Sequence, residues 1–318
     1  LAHVNVLSSM IFAGISGSAV ADTAGVSGMF MPEMIRKGYS KNFTVAVTAI
    51  SSTIGIIIPP SIPMVVIAGI CGISTGKLFL GGIIPGVLCG LAQMIVSYFM
   101  AKKEGVPKEP GHFTIGPVLH GLWESWPALL MPIIIVGTIT MGIVSPTEAG
   151  VIAVVYGLFA GGIIYRELKW EDIKFAFAET VRTSGRIFIV IGAAKLYTVM
   201  LTTAGFDKWV AKTMLGFSTN PTVILIMILL IFFIVTMFME SIATLTLFMP
   251  ILYPIALGVG IDPIVLSVLI TVVIGVGLVT PPVGMCIYVA CDLMDVTVGE
   301  VFPTLVPFIA ATFVCIAL

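Results

Sequence analysis

One unusual pattern occurs twice in this chain, about 220 residues apart, within sequence that is otherwise apolar. The first copy contains, in order, the segment 14–23, Met31-Pro32, Ser51-Ser52-Thr53-Ile54-Gly55 and Pro59-Pro60. The second contains Met239-Glu240-Ser241, Met249-Pro250, Gly275-Val276-Gly277 and Pro281-Pro282. Aligning the two Met-Pro pairs places Asp22 opposite Glu240, and a further shift of four residues aligns the proline pairs. Because glycine and proline disrupt helices, the pattern predicts matching breaks in two halves of the fold.

The composition indicates a membrane protein. The chain is 58% hydrophobic and 10% charged, and its mean hydropathy is +1.17. Its apolar stretches are roughly 20 residues long, which is enough to cross a bilayer as helices. We therefore expect an all-α polytopic membrane protein with the lipid bilayer as its surroundings. A net charge of -1 without a basic patch argues against a nucleic-acid partner.

The breaks and polar loops divide the chain into five segments. We predict first-repeat transport elements over 1–101, comprising a hairpin broken near 14–23, an interrupted helix over 43–70 and a span over 78–100. A cytoplasmic loop is expected over 102–117 and scaffold helices over 118–220. Second-repeat elements, a hairpin broken at Glu240 and a second interrupted helix, cover 221–300, and the last helix starts within 301–318.

The number of spans predicts the topology. If each hairpin is re-entrant, five spans between the hairpins place the second on the opposite membrane face, which makes the two repeats inverted. Eleven of the fifteen lysine and arginine residues then lie on the side of the first hairpin. By the positive-inside rule the first hairpin opens from the cytoplasm and the second from the periplasm. These cations are Arg36, Lys37, Lys41, Lys102, Lys103, Lys108, Arg166, Lys169, Lys174, Arg182 and Arg186.

The predicted breaks offer groups that can bind a cation and an anion side by side. Unwound backbone at membrane depth is tolerated where it lines a cavity, and such breaks in two corresponding segments are typical of transporters. A helix that ends there exposes carbonyls or amides, so paired ends can hold a cation beside an anion. Neutral oxygen donors suit a weakly hydrated monovalent ion, which indicates sodium as the coupling ion. The candidate sodium ligands are Ser16, Ser18, Ser51, Ser52, Thr53, Gly55, Met239, Glu240, Gly275, Gly277 and Thr280.

An anionic substrate would bind beside the sodium. The candidate substrate contacts are Ser18, Asp22, Ser52, Pro60, Ser241, Pro282, Arg182 and Arg186. Other interpretations stay open: the small residues can serve helix packing, Asp22 and Glu240 can cap helices, and the two arginines can extend towards an interface. We predict no enzymatic activity, because no nucleophile, base and orienting group are spaced for catalysis and no P-loop is present.

These segments resemble the large membrane subunit of tripartite ATP-independent periplasmic (TRAP) transporters, the DctM-like family. The resemblance rests on GISGSAVADTAGVSGMFMPEM (14–34), AISSTIGIIIPPSIPMVV (49–66), SPTEAG (145–150), FMESIATLTLFMPI (238–251) and IGVGLVTPPVGMCIYVA (274–290). It implies a sodium-driven, elevator-type secondary transporter in a bacterial inner membrane. It also implies a small four-helix membrane subunit and a periplasmic binding protein that delivers an organic acid, such as a C4-dicarboxylate or sialic acid.

The chain starts at Leu1 without an initiator methionine, so we expect a longer protein with further helices ahead of it. Whether the small subunit is separate or fused upstream stays open. An alternative function is that of a stand-alone sodium/divalent-anion symporter of related inverted-repeat design. A less favoured one is a channel. Dependence of uptake on a soluble binding protein distinguishes the first alternative, and saturable, sodium-dependent flux distinguishes the second.

Overall fold

The fold, obtained as a computed structural model that describes residues 1–106 and 115–317, consists of helices and contains no strand within those ranges. The first helices are α1 (Ala2–Ser16), α2 (Ala19–Arg36), α3 (Lys41–Ser52), α4 (Ile62–Cys71), α5 (Thr75–Lys103), α6 (Ile115–Thr140) and α7 (Pro146–Phe159). They are followed by α8 (Trp170–Thr203), α9 (Phe206–Phe217), α10 (Pro221–Thr236), α11 (Ser241–Gly258), α12 (Pro263–Gly277), α13 (Met285–Met294) and α14 (Val298–Ala317). A 3-10 turn at Thr53–Ile56 extends α3, and a π-helical segment at Ala160–Ile164 extends α7.

Six of the described helices are long and apolar enough to cross a membrane. This confirms the expected class, a polytopic helical membrane protein. The six stretches are Thr75–Lys103, His120–Thr140, Pro146–Ile164, Trp170–Thr203, Ser241–Gly258 and Val298–Ala317.

Helix breaks lie at all four predicted places. The first separates α1 from α2 and the second separates α10 from α11, and each produces two consecutive helices in contact. The other two interrupt the apolar segments that contain the proline pairs, between α3 and α4 and between α12 and α13. Both proline pairs, Pro59-Pro60 and Pro281-Pro282, have cis peptide bonds.

Several element boundaries repeat at one interval. Adding 222 to 19 and 36, the ends of α2, gives 241 and 258, the ends of α11. The same interval relates the proline pairs, and it relates Ser40 to Asp262, the residues that cap α3 and α12. One register therefore aligns these parts of the two halves, whereas the ends of α1 and α10 do not follow it.

This register corrects the alignment inferred from the Met-Pro pairs. The cap of α2 is Ser18 and the cap of α11 is Glu240, so Glu240 corresponds to Ser18 and not to Asp22. The proline that corresponds to Pro32 is Pro254, one turn beyond Pro250 in α11. The Met-Pro dipeptide lies at a different distance from the start of each helix. The helix ends are therefore the better guide to which residues of the two halves correspond.

The chain divides into two compact units, and the first comprises Leu1–Val106 and Val190–Leu318. Its core lies on the interrupted helices: every residue of 43–52 in α3 and of 270–277 in α12 is buried. The halves exchange contacts across this core, because α2 packs on α13 while α11 packs on α4. Within each half the first hairpin helix packs on the interrupted helix, α1 on α3 and α10 on α12.

The second unit spans Pro107–Ile189. In it α6 and α7 pack together, and the hydroxyl of Tyr156 donates a hydrogen bond to the carbonyl of Pro127 at 2.6 Å. Ser145 caps α7 and Pro146 occupies its first turn. Glu148 completes a capping box with Ser145.

Within the predicted scaffold region 118–220, α8 runs without a break from Trp170 to Thr203 and is followed by the short helix α9. The predicted loop 102–117 lies largely outside the described residues, as does Lys108, but its described ends are helical because α5 reaches Lys103 and α6 begins at Ile115.

Candidate functional site

The break in the first hairpin contacts the proline loop of the first interrupted helix. Gly17, which ends α1, has a φ of 65°, and a Cβ at this position would lie 2.7 Å from the carbonyl oxygen of Pro60. The carbonyl of Gly17 accepts a hydrogen bond from the backbone N–H of Ile62 at 3.2 Å. Ser18 then starts α2 by accepting a hydrogen bond from the N–H of Ala21 at 3.4 Å. The left-handed backbone and the close approach explain why glycine stands at position 17.

The second hairpin has the corresponding connection. The carbonyl of Met237 accepts a hydrogen bond from the N–H of Val283, next to Pro282, at 3.0 Å. In each half, therefore, one backbone hydrogen bond joins the break in the hairpin to the break in the interrupted helix. The structure thus brings these breaks together in pairs.

Glu240 caps α11. Its Oε2 accepts hydrogen bonds from the N–H groups of Ile242 at 2.8 Å and Ala243 at 3.3 Å. Its Oε1 accepts from the hydroxyl of Ser241 at 2.6 Å. The carboxylate thus satisfies amides that a helix start would otherwise leave without partners. Of the interpretations that the sequence allowed for Glu240, capping is confirmed.

Asp22 is placed differently, one turn inside α2. Its side chain is 0% exposed, and Oδ1 accepts a hydrogen bond from the hydroxyl of Ser16 across the break. Oδ2 has no hydrogen-bond partner among the described residues. A Cβ added at Gly55 would overlap this oxygen, so the carboxylate covers the backbone of the interrupted helix. A buried carboxylate oxygen without a partner is costly, which marks this position as a candidate for ligand binding.

The hydroxyl groups of the first interrupted helix are buried and oriented. The hydroxyl of Ser52 donates to the carbonyl of Thr48 at 2.7 Å, and that of Thr53 donates to the carbonyl of Ile50 at 2.7 Å. Both residues are at most 1% exposed. Since each proton is engaged with a carbonyl, the oxygen lone pairs are left to accept from a donor or to coordinate a cation.

The two interrupted helices meet at their breaks. A Cβ at Gly275 would lie 3.3 Å from the Cβ of Thr53, so this glycine faces the first half. A Cβ at Gly277 would lie 2.7 Å from the Cβ of Thr236, at the end of α10. Gly275 therefore faces Thr53 of the first half, and Gly277 faces the second hairpin before its tip.

The remaining predicted residues have varied surroundings. Thr280 is buried and its hydroxyl donates to the carbonyl of Val276 at 2.7 Å. Pro282 and Met239 are exposed, and Pro60 is half-buried. Arg182 and Arg186 lie exposed on α8 in the second unit, where Arg182 pairs with Glu179 at 3.8 Å.

A buried polar cluster lies between α1 and α3. It consists of Asn5, Ser9, Thr48 and Ser51, all 0% exposed, and of these the sequence had singled out Ser51 alone. A helical-period signal for the other three was present, because Asn5 and Ser9 are four residues apart and Thr48 and Ser51 are three apart, which places each pair on one helix face.

The apolar helices and the four paired breaks define a polytopic helical membrane protein with two structurally matched halves. Over residues 1–318 the chain matches the family described as tripartite ATP-independent periplasmic transporter, DctM component. The chain belongs to this family, which confirms the resemblance drawn from its motifs.

Named relatives agree with this assignment. The chain is 34% identical over its whole length to the sialic acid TRAP transporter large permease protein SiaM of Vibrio cholerae, covering 74% of that protein. It is 33% identical over 97% of its length to the C4-dicarboxylate TRAP transporter large permease protein DctM of Pseudomonas aeruginosa, covering 72% of that protein. It is 37% identical over 95% of its length to the isethionate TRAP transporter permease protein DctMQ of Oleidesulfovibrio alaskensis, of which it spans 47%.

Proposed function

We propose that this chain is the transporting part of a sodium-coupled secondary transporter that imports an organic acid by elevator-type alternating access. The observation that carries the proposal is the pair of backbone hydrogen bonds, Ile62 to Gly17 and Val283 to Met237, that join the four breaks in pairs. Each of these pairs of breaks brings several helix ends close together within the first compact unit of the fold. Helix ends of both polarities at one place can bind a cation and an anion together.

The donor groups at the breaks favour sodium as the coupling ion. In the first half the oxygens of Ser52 and Thr53 are buried and available as acceptors, and the carboxylate of Asp22 lies over Gly55. In the second half the hydroxyl of Thr280 and the backbone at Gly275 and Gly277 occupy the corresponding segment. Hydroxyl and carbonyl oxygens with at most one carboxylate suit a monovalent cation.

The exchange of contacts between the halves supports a two-fold relation, and the number of membrane crossings supports its being an inverted repeat. If a two-fold axis relates the halves, α2 corresponds to α11 and α13 corresponds to α4. The contact between α2 and α13 then corresponds to the contact between α11 and α4, and both contacts are present. Between the hairpins lie the interrupted helix and the long apolar helices α5, α6, α7 and α8. An odd number of crossings places the second hairpin on the opposite face. With the cation distribution, this orients the first hairpin to the cytoplasm.

The names of the relatives indicate the substrate class. They are permeases for sialic acid, C4-dicarboxylates and isethionate, all of which are organic anions. We accordingly propose an organic acid as substrate, a periplasmic binding protein that delivers it and a small membrane subunit that completes the permease.

The test is uptake by proteoliposomes that contain the complete permease. Labelled sialic acid, succinate and isethionate are supplied with an inward sodium gradient, with and without the binding protein encoded beside the permease. We expect saturable uptake of one acid that requires both sodium and the binding protein. Uptake without the binding protein would favour a stand-alone symporter, and non-saturable flux without sodium would favour a channel.

A further inference from the structure

A buried hydrogen-bond network connects α1 to the interrupted helix of the first half. The side-chain N–H of Asn5 donates to the hydroxyl oxygen of Thr48 at 2.7 Å, and its Oδ1 accepts from the hydroxyl of Ser51 at 3.3 Å. The hydroxyls of Ser9 and Ser51 lie 2.8 Å apart and share a hydrogen bond. Asn5 thus bridges two successive turns of α3, and Ser9 holds the second of them.

The network exists in one half alone. At the interval of 222 residues, Thr48 corresponds to Ile270 and Ser51 to Val273. The buried side chains of α10, the helix that corresponds to α1, are Ile224, Ile228, Leu229, Phe232 and Thr236. The second half therefore packs α10 on α12 with apolar side chains, apart from Thr236, whose hydroxyl donates to the carbonyl of Phe232 in its own helix. Apolar packing is sufficient to join these two helices, so stability alone does not require polar groups here.

Buried polar groups fix geometry more strictly than apolar ones. Each member must keep its partner, because losing one leaves a buried donor or acceptor unsatisfied at a cost of about 1–3 kcal/mol. The network ends at Ser51, which directly precedes Ser52, Thr53 and the turn that reaches Gly55. It therefore restrains the residue next to the oxygen donors of the first break, whereas the second break has no such restraint at the matching positions.

From these contacts we infer that Asn5 and Ser9 are positioning residues for sodium at the first break. They hold Ser51, and through it the backbone and hydroxyls of Ser52 and Thr53, in the arrangement that receives the ion. The inference rests on the proposed function, since it assumes that sodium binds at this break. Asn5 and Ser9 act through Ser51 and do not themselves contact the ion.

The experiment measures thermal stabilisation of the complete purified permease by sodium chloride, with choline chloride keeping the ionic strength constant. The main variant, Asn5→Met with Thr48→Ile, gives the first half apolar side chains like those that join α10 to α12 and so replaces a satisfied polar pair by apolar packing, which need not prevent folding. A milder variant is Ser9→Ala, with Ser9→Thr to restore the hydroxyl. The matched control is Thr271→Val, which removes a buried hydroxyl that donates to the carbonyl of Ser267 on the same helix.

We expect the sodium concentration for half-maximal stabilisation to rise about fivefold in the main variant and in Ser9→Ala, as the loss of one hydrogen bond would produce. Ser9→Thr and Thr271→Val should match the wild type.

Two results would overturn the inference, and they differ. In the first, the main variant and Ser9→Ala keep the wild-type sodium dependence, while Ser52→Ala needs more sodium for half-maximal stabilisation. The sodium site would then be supported, and the network would serve only to pack α1 on α3. The absence of any sodium-specific stabilisation in the wild type would refute the proposed function itself, and the positioning role with it.

Discussion

The carboxylate oxygen Oδ2 of Asp22 occupies the space that a side chain at Gly55 would need. The two residues are 33 positions apart and belong to different broken segments, α2 and the 3-10 turn at Thr53–Ile56. This contact joins the first hairpin to the first interrupted helix at the point where the candidate sodium donors lie. Both residues can be changed with a defined physical consequence.

Replacing Gly55 by alanine should abolish transport. The added methyl group would collide with the Asp22 carboxylate and displace either the turn or the hairpin, at a cost of about 1–3 kcal/mol for overpacking. Uptake and the amount of folded permease in membranes are the measurements. Gly69→Ala, on α4 with open space around its Cβ position, is the control and should transport normally. Normal uptake by Gly55→Ala would contradict the described contact.

Replacing Asp22 by asparagine should keep the shape of the side chain and an acceptor for the hydroxyl of Ser16, but remove the charge. If the carboxylate contributes to ion binding, uptake at limiting sodium should fall about tenfold or more, since interactions of charged groups are worth about 1.5–3 kcal/mol. The control is Asp262→Asn, the same change at an exposed helix cap. If Asp22→Asn keeps the wild-type sodium dependence of uptake, the role of Asp22 is structural only.

Ser52→Ala and Thr53→Ala should each remove one oxygen donor from the first break. We expect a higher sodium concentration for half-maximal uptake in both variants, with expression largely intact, because each hydroxyl otherwise bonds to a carbonyl of its own helix. Initial uptake rates over a range of sodium concentrations test this. Ser267→Ala, which removes a comparable buried hydroxyl from α12, serves as the control. The sodium site would have to lie elsewhere if both variants keep the wild-type value.

Gly277→Ala should impair transport through contact with Thr236, whose Cβ would be 2.7 Å from the new methyl group. Adding Thr236→Gly should therefore restore uptake by making the space that the methyl group needs. Gly277→Val should stay inactive, because its larger side chain also approaches the carbonyl of Phe233. Failure of the rescue, with folded protein present, would show that the effect does not arise from this contact.

The two ends of the transport unit should be accessible from opposite sides of the membrane. A cysteine at Lys103, at the end of α5, should be protected from an impermeant thiol reagent added outside intact cells. A cysteine at Thr219, exposed between α9 and α10, should react. The reverse orientation would place eleven of the fifteen lysine and arginine residues outside, against the positive-inside rule.

The native cysteines need to be replaced first: Cys89, Cys286 and Cys291 are buried, whereas Cys71 and Cys315 are half-buried. Labelling of the cysteine at position 103 alone would show that the protein has the opposite orientation in the membrane. Labelling of both positions from outside would argue against the inverted repeat.

The positions of the four breaks could be predicted from the sequence. Gly17 and the proline pairs act on the backbone within one or two residues, so their effect does not depend on the rest of the fold. The register between the halves could not be predicted in the same way. The Met-Pro pair pointed to Pro250, whereas the helix ends show that Pro254 is the residue equivalent to Pro32. A proline within a helix marks a local irregularity, but the helix caps define where each helix starts.

By itself, the sequence determined the membrane class, the family and the existence of two matched broken segments, because apolar length and backbone restriction are local properties of a chain. The tertiary structure decided which atoms meet at those breaks. That Asp22 covers Gly55, that Gly275 faces Thr53 and that Asn5 joins Thr48 to Ser51 are relations between residues from 33 to 222 positions apart. Such contacts follow from how helices pack, and one turn of difference in register would replace each of these partners by another.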